Sequence, residues 1–246
     1  MSGLETGRYE RKYVISERVA GEVRRFVAAY TVPDPFMEVC GQHGYVVHSL
    51  YLDSPRLDLC RQTQEGIKNR YKLRVRFYDE EPDSPAFLEI KRRAANTIFK
   101  QRAMVSKAAA EHLLAGGMLG TADLIAPGRN SVRDLAEFCQ LQTRLDAAGA
   151  AIVSYQREAY VLPYAEGARV TFDRYLVGRA PHSRGRLALN GSGAAVTSGV
   201  VLELKYMGRS PGWMKDLVTS FSLLRVSYPK YVYCIDALRR ASAMAG

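Results

Sequence analysis

The chain has 246 residues, of which 47% are apolar and 24% are charged, a composition typical of a globular protein with one large domain or two small ones. Its net charge of +10 favours polyanionic partners, namely nucleic acid, an anionic membrane or phosphorylated small molecules. The four cysteines show no CxxC pair and no histidines at zinc-ligand spacing, which argues against zinc and indicates buried free thiols. Since no apolar signal core and no apolar run of about 20 residues is found, we expect a soluble cytoplasmic protein.

The first elements along the chain are predicted to be a strand, a helix and then four strands. GRYERKYVI is typical of a strand, and Ser16 can cap a helix that runs to about residue 30. Strands follow at 45–53, 70–78, 86–93 and 97–106, separated by Pro, Asp, Ser and Asn residues that favour turns. Short connections of this kind join antiparallel neighbours.

The second half begins with a helical insertion at about 107–149, which is rich in Ala and Leu at helical spacing. Strands resume at 151–162, 168–177 and 199–207, and the Gly- and Ser-rich residues 178–199 predict a long mobile loop. Pro211-Gly212 introduces an amphipathic helix, and a last helix is expected at 231–243. The apolar positions of the first of these helices are Trp213, Leu217, Val218, Phe221 and Leu224. Residues 1–246 therefore predict one α+β domain with an antiparallel sheet, closed or nearly closed as a β-barrel, and peripheral helices.

The segment NRYKLRVRFYDE, residues 69–80, carries an unusual charge pattern. Side chains alternate between the faces of a strand, so its Arg and Lys residues share one face and its apolar residues the other. Six further strands repeat this arrangement. The charged positions of the seven strands include Glu10, Lys12, Arg70, Lys72, Arg74, Arg76, Glu89, Lys91, Arg93, Lys100, Arg102, Arg157, Arg169, Asp173, Glu203 and Lys205.

These charged faces have two interpretations. A solvated sheet face explains any single strand. Seven faces dominated by Lys and Arg would repel one another strongly unless an anion neutralised them, and an elongated polyphosphate or triphosphate suits such a surface.

The carboxylates among these cations have two interpretations as well. Mg²⁺ or Mn²⁺ can bridge carboxylate and phosphate oxygens, or a carboxylate can form an internal ion pair. We favour the ion pair for Glu89 and the metal for Glu203, whereas the two are balanced for Glu10. Asp53, in YLDSP, is interpreted as turn chemistry rather than as a metal ligand.

A set of short motifs, in order and spanning nearly the whole chain, resembles the VTC domain, the polyphosphate polymerase module of the triphosphate tunnel metalloenzyme superfamily. The motifs are RYERKY, SLYLDSP, YKLRVRFY, FLEIKRR, SYQREAY, RVTFDR, LELKY and SYPKY. The resemblance implies an antiparallel β-barrel tunnel lined by Lys, Arg and Glu. It also implies synthesis of inorganic polyphosphate from ATP with Mn²⁺ or Mg²⁺.

The resemblance also implies roles for individual residues. Glu203, with Glu10, would be the metal ligand, Tyr155 would contact substrate, and Ser227 with Lys230 would form a basic patch at a tunnel mouth. The resemblance and the cationic strand faces together imply a set of phosphate ligands. These are Lys12, Lys72, Arg74, Arg76, Lys91, Lys100, Arg102, Arg157, Arg169 and Lys205. Of these, Arg74, Arg76, Arg157, Arg169 and Lys205 are expected to be catalytic.

One departure from the family pattern bears on three candidate functions. The ExExK signature of the superfamily has Arg8 in place of its first carboxylate, which weakens a hydrolase assignment that needs several metal-binding glutamates. A polymerase is therefore the first hypothesis, ahead of a triphosphatase and of a module that binds polyphosphate without catalysis. Nucleic acid ranks lower, because the strand aromatics fall mostly on the apolar faces, away from any base-stacking surface.

Overall fold

The structure is a computed structural model that describes residues 8–40, 44–95, 97–163, 167–182, 185–189, 193–196 and 198–245. Its strands are β1 (Arg8–Ile15), β2 (Val32–Pro33), β3 (Tyr45–Asp53), β4 (Arg70–Phe77), β5 (Pro85–Ala94), β6 (Thr97–Ser106), β7 (Ala148–Val161), β8 (Ala168–Arg179), β9 (Ala194–Ala195) and β10 (Val200–Met207). Its α-helices are α1 (Glu17–Val27), α2 (Pro35–Cys40), α3 (Asp58–Gln64), α4 (Lys107–Leu114), α5 (Arg129–Leu145), α6 (Gly212–Ser220) and α7 (Lys230–Ala245).

All strands belong to one antiparallel sheet in the order β1-β10-β8-β7-β3-β4-β5-β6, with β2 beside β7 and β9 beside β8. The edge strands β1 and β6 share no hydrogen-bonded ladder within the described residues. The sheet nevertheless curls, because Lys91 Nζ of β5 lies 3.0 Å from Glu10 Oε2 of β1. The α+β class and the antiparallel sheet are therefore confirmed, whereas a closed barrel is not.

Helices cover the outer face of this sheet. Leu73, Val75 and Phe77 of β4 alternate with the charged positions and are buried in a core that α4 and α5 complete. A second core under β1, β8 and β10 is completed by α1 and α6. The apolar half of each strand thus gains its stability from helix packing, which leaves the charged half on the opposite, inner face.

The C-terminal helix α7 packs on the inner face instead, in a cluster that Met37 of α2 and Cys60 of α3 also join. Tyr231 stacks on Tyr51 with ring centroids 4.6 Å apart, and its hydroxyl donates a hydrogen bond of 2.7 Å to Asp53. Cys234 and Ile235 are buried in the same cluster. One end of the inner face is therefore apolar and filled, and the rest is charged.

Most predicted elements are confirmed. Ser16 Oγ accepts from the Val19 N–H at 3.3 Å and caps α1, which ends at Val27. The insertion at 107–149 consists of α4, a 3₁₀ turn at Thr121–Asp123 and α5, and its last two residues already belong to β7. Within the described part of the chain, no helix is long and apolar enough to cross a membrane.

Four expectations need correction. Helices α2 and α3 were not predicted, because six or seven residues are too short to show a helical period. In the segment predicted as a mobile loop, Leu187 is fully buried in the outer core and two residues form β9. Residues 183–184, 190–192 and 197 lie outside the described residues. Leu224, which was predicted on the apolar face of the helix after Pro211-Gly212, lies beyond the end of α6 and is 83% exposed. Cys40 is exposed rather than buried.

Candidate functional site

The charged inner face brings most of the predicted site residues together. Among the described residues its carboxylates are Glu10, Asp34, Glu89, Asp173 and Glu203. Its cations are Lys12, Lys72, Arg74, Arg76, Lys91, Lys100, Arg102, Arg157, Arg169, Lys205 and Lys230. Positive charge is therefore in clear excess, which is the electrostatic condition for holding a polyanion.

Glu203 of β10 is the centre of this network. Its carboxylate lies 2.6 Å from both Lys205 Nζ and Lys230 Nζ and 3.5 Å from Lys12 Nζ. Burial raises the pKa of Glu203, but the surrounding ammonium groups outweigh this and hold the pKa well below its usual range. The carboxylate is therefore ionised at neutral pH and fixes several cations in place.

Asp173 of β8 is a member of the network that sequence reasoning did not single out. It is fully buried and accepts two hydrogen bonds of 2.7 Å from Arg157, a bidentate pair, while Lys230 Nζ lies 2.6 Å away. The only available signal was its alternation with Arg169 along the strand. Asp173 orients the guanidinium and ammonium groups whose free donors face the site.

Glu89 of β5 organises a second group of cations. Its fully buried carboxylate lies within 2.7 Å of nitrogens of Arg74, Lys100 and Arg102. Glu89 is thus an ion-pair partner, as the sequence favoured. Burial lowers the pKa of Lys100 to about 7, although Glu89 opposes the shift. Lys100 can therefore change its charge near neutral pH.

Glu10 links opposite sides of the curled sheet. Its carboxylate lies 3.1 Å from Lys12 on its own strand and 3.0 Å from Lys91 on β5. The carboxylate couples electrostatically to Glu203, and Lys12 lies between the two. A continuous row of alternating charges therefore runs from β10 through β1 to β5.

Lys72 differs from its neighbours in having no carboxylate. Within the part of the chain that the structure describes, no hydrogen bond or ion pair reaches its ammonium group. Burial lowers its pKa well below the ordinary value, and the nearby charges of Lys12 and Lys91 lower it further. An anion on the inner face would supply the missing partner.

Tyr155 and its neighbours add donors and an aromatic surface. Lys230 Nζ and the Arg157 guanidinium lie 5.0 and 5.1 Å from the Tyr155 ring centroid, within cation–π range. Arg76 donates to Ser49 Oγ at 3.3 Å and approaches the Tyr155 hydroxyl at 3.5 Å. These contacts hold the cations in fixed orientations.

Arg169 and Ser227 stand apart from this arrangement. Arg169 pairs with Asp34 and donates to the Tyr45 hydroxyl at 3.1 Å, and its buried Nε has no partner in the described part of the chain. Ser227 is exposed and makes no hydrogen bond to the other predicted residues among those described. Lys230 is buried in the network rather than part of a surface patch at a mouth. The structure therefore separates Ser227 from Lys230.

The carboxylates fit a metal only in combination with phosphate. No group of three or more His, Cys, Asp or Glu side chains that could hold a metal occurs among the described residues. Glu10 and Glu203 are nevertheless close enough to share Lys12. Thr171, the register partner of Glu203, has a buried hydroxyl that finds no hydrogen-bond partner among the described residues. Mg²⁺ is often bound by one or two carboxylates together with substrate phosphates, and this donor set can meet that requirement.

Comparison with known proteins agrees with the resemblance seen in the motifs. The model of the VTC domain matches residues 7–239, so the chain belongs to the VTC domain family. The assignment made from eight short motifs is therefore confirmed. No curated protein matches the chain.

Solved structures show a more distant similarity. The PH1819 protein from Pyrococcus horikoshii OT3 is 10% identical with a TM-score of 0.46, over 96% of this chain and 98% of that chain. A "putative adenylate cyclase" from Vibrio parahaemolyticus is 11% identical with a TM-score of 0.46, over 94% of this chain and 98% of that one. Neither similarity bears on function.

Proposed function

We propose that this protein is a polyphosphate polymerase, which transfers the terminal phosphate of ATP to a growing inorganic polyphosphate chain held on the inner face. The observation that carries the proposal is the excess of fixed cations over carboxylates on one curled face. Membership of the VTC domain family supports an enzyme that acts on triphosphates. In this proposal the curled sheet encloses the chain as a tunnel, with Glu10 and Lys91 at the meeting of its edges.

The arginines would clamp the reacting phosphates. Phosphoryl transfer depends mainly on in-line positioning and on neutralising charge that spreads over the transferred group. Arg74 and Arg157 are held by Glu89 and Asp173, so their orientation is set before substrate binds. Preorganised donors of this kind lower the barrier because they need not reorient during the reaction.

The divalent metal, Mn²⁺ or Mg²⁺, is part of this proposal. Glu203 and Glu10 would hold it together with phosphate oxygens. When bound, the ion neutralises charge on the transferred phosphate and the leaving oxygen. Lys12 and Lys205, which now neutralise Glu203, would turn their ammonium groups to phosphate.

The carboxylates of the inner face are poor candidates for the general base that a triphosphatase would use. Cations outweigh burial and lower the pKa of Glu10, Glu89, Asp173 and Glu203, so each is a weak base. His48 of β3 packs on Phe77, which is buried in the outer core. Attack by water gains from a general base, whereas the terminal oxygen of polyphosphate is already ionised.

The test is the reaction of purified protein with ATP and Mn²⁺. We expect polyphosphate to accumulate, and Glu203→Gln to lower the rate roughly 100-fold, the loss typical of removing one electrostatic contact in an active site. Glu38→Gln, an exposed substitution in α2 with the same chemistry, should leave the rate unchanged.

Two other outcomes would replace the proposal. Free phosphate without chain growth would indicate a triphosphatase. Tight binding of polyphosphate without turnover, under every metal tested, would indicate a binding module.

A further inference from the structure

A cleft lies between the two edges of the sheet and shares Glu10 with the network described above. Its volume is about 260 Å³. We call it the edge cleft and define it by Tyr9, Glu10, Arg11, Arg93, Tyr206 and Arg225, which line it. Three segments that are distant in sequence, β1, the β5–β6 hairpin and the chain before α7, thus each bring one arginine to the same space.

The described residues do not neutralise the arginines of the edge cleft. None of the three has a carboxylate within ion-pair distance among the described residues. The Arg11 guanidinium lies over the Tyr206 ring at 5.6 Å, Arg93 Nε donates to the Ala95 carbonyl at 2.8 Å, and Arg225 is exposed. The cleft is therefore cationic and keeps guanidinium donors available for a ligand.

The carboxylate in the cleft connects it to the inner face. Glu10 is already bound by Lys12 and Lys91, at 3.1 and 3.0 Å. Lys12 in turn contacts Glu203 at 3.5 Å. A row of alternating charges therefore leads from the centre of the inner face through Lys12 to Glu10, which lines the edge cleft.

The chain before α7 is bound to the sheet edge at β1, beside the edge cleft. Val226 N donates to the Lys12 carbonyl at 2.9 Å, and the Lys12 ammonium donates to the Tyr228 carbonyl at 3.0 Å. These bonds anchor the residues on either side of position 227 to β1. Arg225, which directly precedes Val226, is therefore held beside the edge cleft.

We infer that the edge cleft is a second phosphate-binding site, which holds the end of a polyphosphate chain whose other units lie on the inner face. The inference rests on the proposed function. Guanidinium groups match phosphate oxygens in a bidentate geometry, and several of them around one cavity select a polyanion over a single ion. Only a polyphosphate too long for the inner face alone would occupy both sites. The edge cleft would therefore make the protein prefer long polyphosphate chains.

The experiment compares two anions on the full chain by isothermal titration calorimetry at constant ionic strength. The probes are tripolyphosphate and long-chain polyphosphate, and the variant is the triple substitution R11Q/R93Q/R225Q. We expect its affinity for the long chain to fall about tenfold or more, because three charge-assisted contacts are lost. Its affinity for tripolyphosphate should stay within about twofold.

A matched variant controls for net charge. Arg25, Arg56 and Arg129 are exposed and unpaired among the described residues, and R25Q/R56Q/R129Q removes the same charge elsewhere. Its affinity for both anions should equal that of the unaltered protein. The single substitution Arg225→Gln, in an exposed segment, should reproduce part of the loss if the triple variant folds poorly.

The outcomes separate this inference from the proposed function. The inference about the edge cleft alone would be overturned if both cleft variants kept their affinity for long-chain polyphosphate. It would also be overturned if they lost affinity equally for both anions. Failure of the unaltered protein to bind either anion would overturn the proposed function, and the edge cleft with it.

Discussion

Lys72 illustrates the conflict between stability and binding at the scale of one residue. It is half-buried among Lys12, Lys91 and Arg74 without a carboxylate of its own in the described structure. Its charge therefore destabilises the free protein. Residues of this kind are kept where an absent ligand supplies the compensating charge.

Substitution of Lys72 tests this conflict. Lys72→Gln should raise the free energy of unfolding by roughly 1 kcal/mol, since a charge with a lowered pKa is removed. It should also weaken tripolyphosphate binding about tenfold. Denaturant unfolding and calorimetry measure the two quantities, and Lys68→Gln, exposed four residues earlier, is the control. Loss of both stability and affinity would mean that Lys72 is a packing residue.

Lys205 provides a pH-dependent test. Burial lowers its pKa to about 8, although Glu203 opposes the shift. Its charge is therefore present below pH 8 and lost above it, so affinity for tripolyphosphate should fall severalfold as pH rises from about 7 to about 9. Lys205→Arg keeps its charge over this range and should reduce that fall, and the part that remains belongs to Lys100, whose pKa burial lowers to about 7. Identical pH profiles for the two proteins would exclude Lys205 from the binding site.

At the residue scale, the sequence predicted which charged residues share a face of the sheet, but it did not predict which of them form ion pairs. Alternation along the strands placed Arg74, Glu89 and Glu203 on one face correctly. It did not reveal that Asp173 binds Arg157, because that contact joins β8 to β7 and depends on register. Sequence spacing within one strand contains no information about the neighbouring strand.

At the scale of elements, the sequence predicted that α7 is a helix but not on which face of the sheet it packs. The pattern at 231–243 predicted a peripheral helix, whereas α7 packs on the inner face. An apolar stripe shows that a helix has a partner, but it does not show which face of the sheet that partner is. Tyr231 and Lys230, adjacent in sequence, anchor α7 through Asp53 and Glu203.

The anchoring hydrogen bond of α7 can be tested directly. Tyr231→Phe keeps the stacking on Tyr51 but removes the donor to buried Asp53. The free energy of unfolding should fall by about 1–2 kcal/mol, the cost of a lost hydrogen bond to a buried charged group. Tyr175→Phe, where the side chain is 69% exposed, should change it by less than about 0.5 kcal/mol. Equal effects in urea unfolding would rule out this role of Tyr231.

At the scale of the whole molecule, the excess of positive charge predicts that a bound polyanion stabilises the fold. Tripolyphosphate at a concentration of about 100 times its Kd should add about 2.7 kcal/mol to the free energy of unfolding. Added NaCl should reduce the gain, because salt screens the attraction. Thermal unfolding measures the effect, with sulfate at equal ionic strength as the control. An equal rise in Tm with sulfate would show that the inner face has no preference for a phosphate chain.

The sequence predicted the strands of the sheet correctly, but the closed or nearly closed barrel that it also predicted is not confirmed. Strand faces and short turns indicate antiparallel pairing, whereas the meeting of β1 and β6 depends on the accumulated twist and curl of all the strands between them. The contact of Glu10 with Lys91, positions 81 residues apart, shows how near the edges come. No local pattern specifies such a distance.

The network around Glu203 also determines when the site can form during protein synthesis. Lys12 belongs to the first strand, Lys230 to the last helix, and Lys12 Nζ donates to a carbonyl 216 positions away. A chain leaving the ribosome has most of its strands long before residue 230 is made. The nascent protein therefore carries its arginines without the completed site, and only a chain that extends through Lys230 can assemble the centre.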